Sequence, residues 1–525
     1  MKTLQDYIAK KKKKNRLWIL GILLLWSLTA WGVSFDLSRM ISGVPDMLNL
    51  LGRMLSPEFS YIKEALPRLL ETIEMALVST TLGVLLGVFF ALFTAKNTTL
   101  HGLLPKIFGP LFTFFRTIPN LIWAAILVTV FSVGKFPGMI ALTITAVLIT
   151  VKLLREYIET LNKNLLQGVE SVGGSKIQVL RFAVLPEIFE YSLSVYFIVL
   201  EINIRSATIL GLVGAGGIGQ ILWRDLNHLR YDNLATLIIL LFLTILIIDM
   251  VSLFIRNNLK KFYIPRKSIA SFKVQQQKKW GGIMLLFVLG VLWLSFSLDI
   301  TLERLILGIT SGREIILRML QIDLSYTPRL LEGLLESLYI ALFATITGGI
   351  GAVVLSYFTA YNTAPHPGVS MVLKGLVNLL RTFPPIIMAI IFFRGVGPGP
   401  LAGAMALGIY TLGVMTKLYS EVIESEGSKI QQGIMVTGST KLNSYRYGIL
   451  PQTFPNFITL VLYRLESNIR TSTILGIIGA GGIGTLLSTN ITWRNWERVG
   501  LLILGIALLM ILIEKSSESL RKKLA

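Results

Sequence analysis

The sequence predicts an all-α polytopic membrane protein of about 12 transmembrane helices in two parallel-oriented repeats. The first observation is composition: 53% of the 525 residues are hydrophobic and only 15% are charged, against about 25% charged in ordinary soluble domains. The second is a recurrence of apolar runs of membrane-spanning length. The third is an internal duplication, in which LEINIRSATILGLVGAGGIGQIL at 200–222 returns as LESNIRTSTILGIIGAGGIGTLL at 465–487.

The duplication keeps a single register. An offset of 265 takes Asn203 to Asn468, Arg116 to Arg381, Gly138 to Gly403, Pro186 to Pro451 and Glu71 to Glu336, with no insertion between them. Two domains follow, 1–262 and 263–525, each with about six spans and joined through a basic, Gln-rich linker. Hydropathy places the spans near 17–35, 72–95, 118–134, 136–151, 187–210 and 234–255. The matching set lies near 280–298, 337–360, 383–397, 400–416, 452–475 and 499–513. Helices are required because lipid cannot satisfy open backbone groups, and a barrel would show alternation instead. The third and fourth spans of each half are short for roughly 30 Å of hydrocarbon.

The net charge of +21 comes from 50 Lys plus Arg against 29 Asp plus Glu. In a soluble chain that excess would suggest a polyanion partner. In a membrane chain it holds loops in the cytoplasm. The composition excludes a disordered chain, a disulfide-stapled domain and a nucleic-acid-binding module. There are no cysteines, so thiolate metal sites are excluded, and His101, His228 and His366 are too scattered for a metal cluster. The basic run Lys10–Lys14 precedes an apolar stretch without a small-residue cleavage site, which reads as a retained first span. The same run puts the N-terminus in the cytoplasm. Counting spans then puts Lys152–Pro186, the linker and Arg521, Lys522 and Lys523 on the same side, so both termini are cytoplasmic. Two halves inserted the same way up suit a pseudo-two-fold axis along the membrane normal.

The most informative cytoplasmic segment of each half, in the long loop after the fourth span, is QGVESVGGSKIQVLRFAVLP, from Gln167 and Gly168 to Pro186, and QGIMVTGSTKLNSYRYGILP, from Gln432 and Gly433 to Pro451. Gly173 and Gly438 each stand thirteen residues before the proline. This spacing predicts two short helices around a glycine-permitted turn, with the proline in the first turn of the next membrane helix. The segment resembles the coupling loop of ATP-binding-cassette importer permeases, which docks on an ATPase subunit. That family opens the motif with Glu–Ala–Ala, whereas Gln167 and Gln432 stand at the opening position here. The alternative is an ordinary basic cytoplasmic loop.

Together with RTIP at 116–119 and RTFP at 381–384, the repeated LExNIRxxTILGxxGAGGIG closely resembles permeases of phosphonate importers and of relatives carrying phosphite. The resemblance implies a type I importer-like permease made of two fused half-permeases, in the inner membrane of a prokaryote. It implies two ATPase subunits that bind ATP-Mg, an extracytoplasmic substrate-binding protein and a lipid surround. No cofactor is expected on this chain, since no GxxxxGK[ST] loop is present. GAGGIG at 214–219 and 479–484 follows a membrane helix rather than a strand, so it is not a dinucleotide fingerprint. These glycines can serve close packing and hinging or an anion nest.

Candidate cargo-pathway residues are the polar groups inside apolar spans. Glu201, Asn203 and Arg205, with Glu466, Asn468 and Arg470, lie where a charge costs at least about 2.5–3.5 kcal/mol. Spacing allows Glu201 to pair with Arg205 and Glu466 with Arg470. They hold the fold as ion pairs, or the arginines attract an oxyanion in transit. Arg116 and Arg381 anchor the cytoplasmic end of a span or line the pathway. Arg394, whose repeat mate is Thr129, either snorkels to the outer interface or gives the pathway a one-sided positive site.

The reading is therefore a transport subunit and not an enzyme. Three rivals remain: a secondary transporter with two parallel repeats, an importer permease for another small solute, and, ranked lower, an exporter. An intramembrane enzyme has no paired-acid metal motif to rest on.

Overall fold

The computed structural model describes residues 16–17, 20–99, 102–261, 302–436 and 438–524. The basic run Lys10–Lys14, the linker beyond Lys261, His101 and the span expected at 280–298 lie outside the described residues. Every regular element among the described residues is a helix. In the first repeat these are α1 (Leu20–Gly32), α2 (Leu37–Met54), α3 (Ile62–Thr94), α4 (Leu103–Thr117), α5 (Asn120–Phe131), α6 (Lys135–Thr160), α7 (Lys163–Glu170), α8 (Lys176–Val179), α9 (Leu185–Leu210), α10 (Ile218–Asn227) and α11 (Tyr231–Lys261). In the second they are α12 (Leu302–Leu320), α13 (Thr327–Thr359), α14 (Pro367–Thr382), α15 (Pro385–Val396), α16 (Pro400–Met435), α17 (Lys441–Ser444), α18 (Leu450–Ile477), α19 (Ile483–Thr492) and α20 (Trp496–Leu524). Almost every helix start recurs 265 residues on, so the backbone follows the written duplication.

Among the described residues, seven helices are long and apolar enough to cross a bilayer, and ten spans result if each of three bent pairs counts as one. The expected third spans are the second halves of two such pairs, α4–α5 bent by 88° and α14–α15 bent by 87°. Proline sets both bends: Ile118 and Phe383 are extended before Pro119 and Pro384, as the proline ring requires of its predecessor. The expected fourth spans were drawn too short. Both α6 and α16 run on past the apolar window, through Arg155 to Thr160 and through Glu421 to Met435.

The chain forms two compact units, Gly52–Arg318 and Met1–Leu51 with Met319–Ala525. These divide the sequence differently from the repeats 1–262 and 263–525. In the first unit α3 packs along α6 and α9, and small residues let the backbones approach. A Cβ on Gly83 would stand 2.2 Å from that of Ala146, and one on Gly87 2.5 Å from that of Thr150. Helix α12 belongs to this unit, with Gly308 against the ring of Phe131. In the second unit α13 packs along α16 and α18. Here α1 brings Trp26 onto Phe343, ring centroids 6.0 Å apart, and Gly43 of α2 meets the backbone of Gly395. Gly43 and Gly308 are repeat mates, and each seats its helix against the other half of the sequence.

Candidate functional site

The two loops with Gly-to-Pro spacing fold from strong local signals. After α7, Gly173 takes φ +83° and Gly438 takes φ +80°, a backbone region that disfavours a side chain. Ser175 then opens α8 with a capping box: its hydroxyl accepts from Gln178 N, and Gln178 Oε1 accepts from Ser175 N at 2.7 Å. Thr440 caps α17 by accepting from Asn443 N. A single π-turn, 180–184 or 445–449, joins the short helix to α9 or α18. Pro186 and Pro451 sit in the first turn of those helices, as predicted. The two copies differ before the turn. The first has a separate short helix, whereas in the second the corresponding stretch is the end of α16.

Gln167, Gly168, Gly173, Pro186, Gln432, Gly433, Gly438 and Pro451 are all exposed. Apolar side chains stand out beside them, namely Val172, Ile177 and Phe182 in one loop and Val436, Leu442 and Tyr447 in the other. The opposite faces are buried. Leu166, Val179, Ala183 and Val184 join the core of α6 and α9 with Leu154 and Ile158. Tyr445 and Ile449 join that of α16 with Tyr419 and Ile423. Each loop is thus a ledge, greasy outside and wedged into its bundle inside.

The polar residues of α9 and α18 divide unequally. Glu201 and Arg205 form the expected pair at 2.5 Å, each about a quarter exposed. Glu466 is held by Arg521, which reaches from α20 to 3.1 Å and lies over the Tyr463 ring. The i,i+4 reading of Glu466 with Arg470 overlooked this because the partner is 55 residues distant. Both asparagines are fully buried. Asn203 Nδ2 donates to Thr80 at 2.9 Å, and Asn468 Nδ2 donates to the matching Thr345 at 2.8 Å. Asn468 also exchanges hydrogen bonds with Thr411, whose mate is Ala146, so Asn203 Oδ1 is left without a donor. Arg464 joins the second cluster through Nε to Thr411 Oγ1 at 3.3 Å. Sequence reasoning missed Arg464, although the signal was present: the offset of 265 lands on Val199. Arg116 and Arg381 stand in the last turn before each proline bend, partly buried. Arg394 is exposed in the last turn of α15.

The glycine loops serve packing. A Cβ on Gly219 would lie 1.8 Å from the carbonyl oxygen of Thr208, and one on Gly484 2.0 Å from that of Thr473. Ile218 N donates to Thr72 Oγ1 and Ile483 N to Ser337 Oγ, which satisfies orphan donors where α10 and α19 begin. In the second copy Glu336 Oε2 also accepts from Gly482 N at 2.8 Å. An internal carboxylate therefore fills that concavity. Just before the start of the helix that carries Glu336, Asp323 accepts from Ser325 and Arg498, which hold its carboxyl below the ordinary value of 3.8.

Two stretches, 83–264 and 352–524, match the family described as binding-protein-dependent transport system inner membrane component. The phosphate-import permease protein PhnE of Mycolicibacterium smegmatis is 28% identical over 500 residues, covering 94% of this chain and 92% of that protein. The phosphite transport system permease protein PtxC of Stutzerimonas stutzeri is 32% identical over 247 residues, 47% of this chain and 89% of that protein. A putative cryptic phosphonate transport system permease protein, PhnE2 of Escherichia coli, is 41% identical over 118 residues, 22% of this chain and 97% of that protein. The matched stretches begin one in each repeat and together span more than half of the sequence, so this duplicated, all-helical membrane chain belongs to the family of binding-protein-dependent transport system inner membrane components.

Proposed function

We propose that this permease subunit imports a phosphorus oxyanion, whether phosphonate, phosphite or phosphate, driven by ATP hydrolysis on partner chains. The observation that carries the reading is the end-to-end similarity to a protein named as a phosphate-import permease, supported by the phosphite relative, 89% of which matches over 47% of this chain. The two exposed ledges, one per repeat, are the seats of two ATPase subunits. Each presents apolar side chains outward and is buried on its inner face, so a push applied there moves the membrane helices instead of bending the loop. Closure of an ATPase pair would drive both ledges and tilt α9 and α18, alternating access. Gln167, Gly168, Gly173 and Pro186, with Gln432, Gly433, Gly438 and Pro451, form these seats.

Each half, 1–262 and 263–525, is one permease repeat of six spans, 12 in all, with both termini cytoplasmic. A substrate-binding protein delivers cargo on the opposite face. Glu201, Asn203, Arg205, Glu466, Asn468, Arg470, Arg116, Arg381 and Arg394 are the polar groups proposed along the pathway, within surrounding lipid. Their excess of arginine favours an anion. The test is uptake into proteoliposomes that hold the chain, its ATPase and its receptor, over a panel of methylphosphonate, phosphite, phosphate and a methionine control. ATP-dependent accumulation of a phosphorus oxyanion supports the reading. Accumulation of methionine alone, or of any solute without the ATPase, would sink it.

A further inference from the structure

We propose that Arg464 is an oxyanion-coordinating group in the middle of α18, present in the second repeat alone and covered by Tyr410. The proposal rests on the phosphorus-oxyanion reading above for its natural ligand. Arg464 is only 8% exposed. Nε donates to Thr411 Oγ1, and Cζ stands 4.8 Å over the half-buried Tyr410 ring. Nη2 is buried with no hydrogen-bond partner. Among the described residues no carboxylate comes within 4.0 Å of this guanidinium, and the nearby acid Glu466 is engaged by Arg521.

A permanently charged guanidinium in that setting needs a counter-anion. Burying an unpaired cation is costly, and arginine does not lose its proton to escape that cost. A ring face over the guanidinium offsets part of the penalty and leaves the unused N–H groups as donors. A tetrahedral oxyanion suits them, because a planar fork of N–H groups can engage two of its oxygens at once. Thr411, already bound to Nε and to Asn468, fixes the plane of the guanidinium.

The first repeat supplies an internal control. Val199, Thr145 and Ala146 stand at the positions of Arg464, Tyr410 and Thr411, while the shared Asn–Thr hydrogen bond is kept. The asparagine–threonine contact is therefore the structural part of the cluster. The arginine, the ring and the second threonine are additions that folding of the first repeat does without.

Two variants test the assignment. Arg464→Met removes the charge and keeps the stem. Thr411→Asp places an internal carboxylate beside Nε, so it supplies the missing counter-charge and keeps the protein folded if Arg464→Met does not assemble. The full chain in nanodiscs is heated with inorganic phosphate or with chloride at equal ionic strength, and ATP-driven uptake is measured with the complete transporter. The wild type is expected to gain several degrees from phosphate, and Thr411→Asp to show neither that gain nor more than a tenth of wild-type uptake. A phosphate shift of wild-type size in the folded variant, or unaltered uptake, overturns the assignment. If phosphate stabilises the wild type through Arg464 but the transporter accumulates no phosphorus oxyanion, the site stands and the importer reading fails.

Discussion

Glu466 and Arg521 show what a buried ion pair does for a membrane helix bundle. The carboxylate is almost inaccessible and its partner comes from the last helix, so the pair ties α18 to α20. Removing one partner of such a pair typically costs about 3–5 kcal/mol, whereas replacing both with apolar groups is often neutral. Arg521→Leu should therefore lower the melting temperature sharply, and Glu466→Leu in the same chain should recover most of the loss. A double variant no more stable than Arg521→Leu would contradict a pairwise role. The residue scale is also where the sequence was least legible. Glu201 and Arg205 could be paired from spacing because the contact is local. Arg521 and Arg464 gained their significance only from helices brought together in space.

At the scale of elements the ledges make the sharpest prediction. Phe182 and Tyr447 are exposed on short helices whose inner faces are buried. Phe182→Glu and Tyr447→Glu should leave the unfolding free energy of the isolated chain within about 0.5 kcal/mol of wild type. Co-purification of the ATPase with each variant should fall at least tenfold. Equal recovery of the ATPase would show that the ledges are not its seat. The junction before α13 makes a pH prediction. Asp323 is held down by Ser325 and Arg498, so its stabilisation is present above pH 3.8 and is lost as pH falls below that value. The melting advantage of wild type over Asp323→Asn should be constant from pH 7 to about 4 and shrink below it; an advantage unchanged at pH 3 would exclude the interaction.

Element type and order were readable from the apolar runs and the duplicated motifs. Helix ends were not, because α6 and α16 continue into charged sequence where the lipid no longer selects apolar residues. The proline bends were readable only in part: RTIP and RTFP marked a break, but the 88° and 87° turns depend on how α4 and α14 lie against their neighbours.

The whole molecule carries two compact units, each drawing on both halves of the sequence. Gly43 lies against Gly395 and Gly308 against Phe131, so neither half of the sequence holds all the partners of its own first helices. Residues 1–262 expressed alone should be degraded faster than when expressed together with 263–525, and pulse-chase turnover measures it. Equal lifetimes would show that each half is self-sufficient.

This reciprocal loan of helices has a thermodynamic outcome. Two separately encoded halves would meet by diffusion through the bilayer, and their association would weaken as they became scarce. Covalent continuity replaces that encounter with a local concentration fixed by the connecting segment. The permease should therefore stay whole at copy numbers where an untethered pair would drift apart.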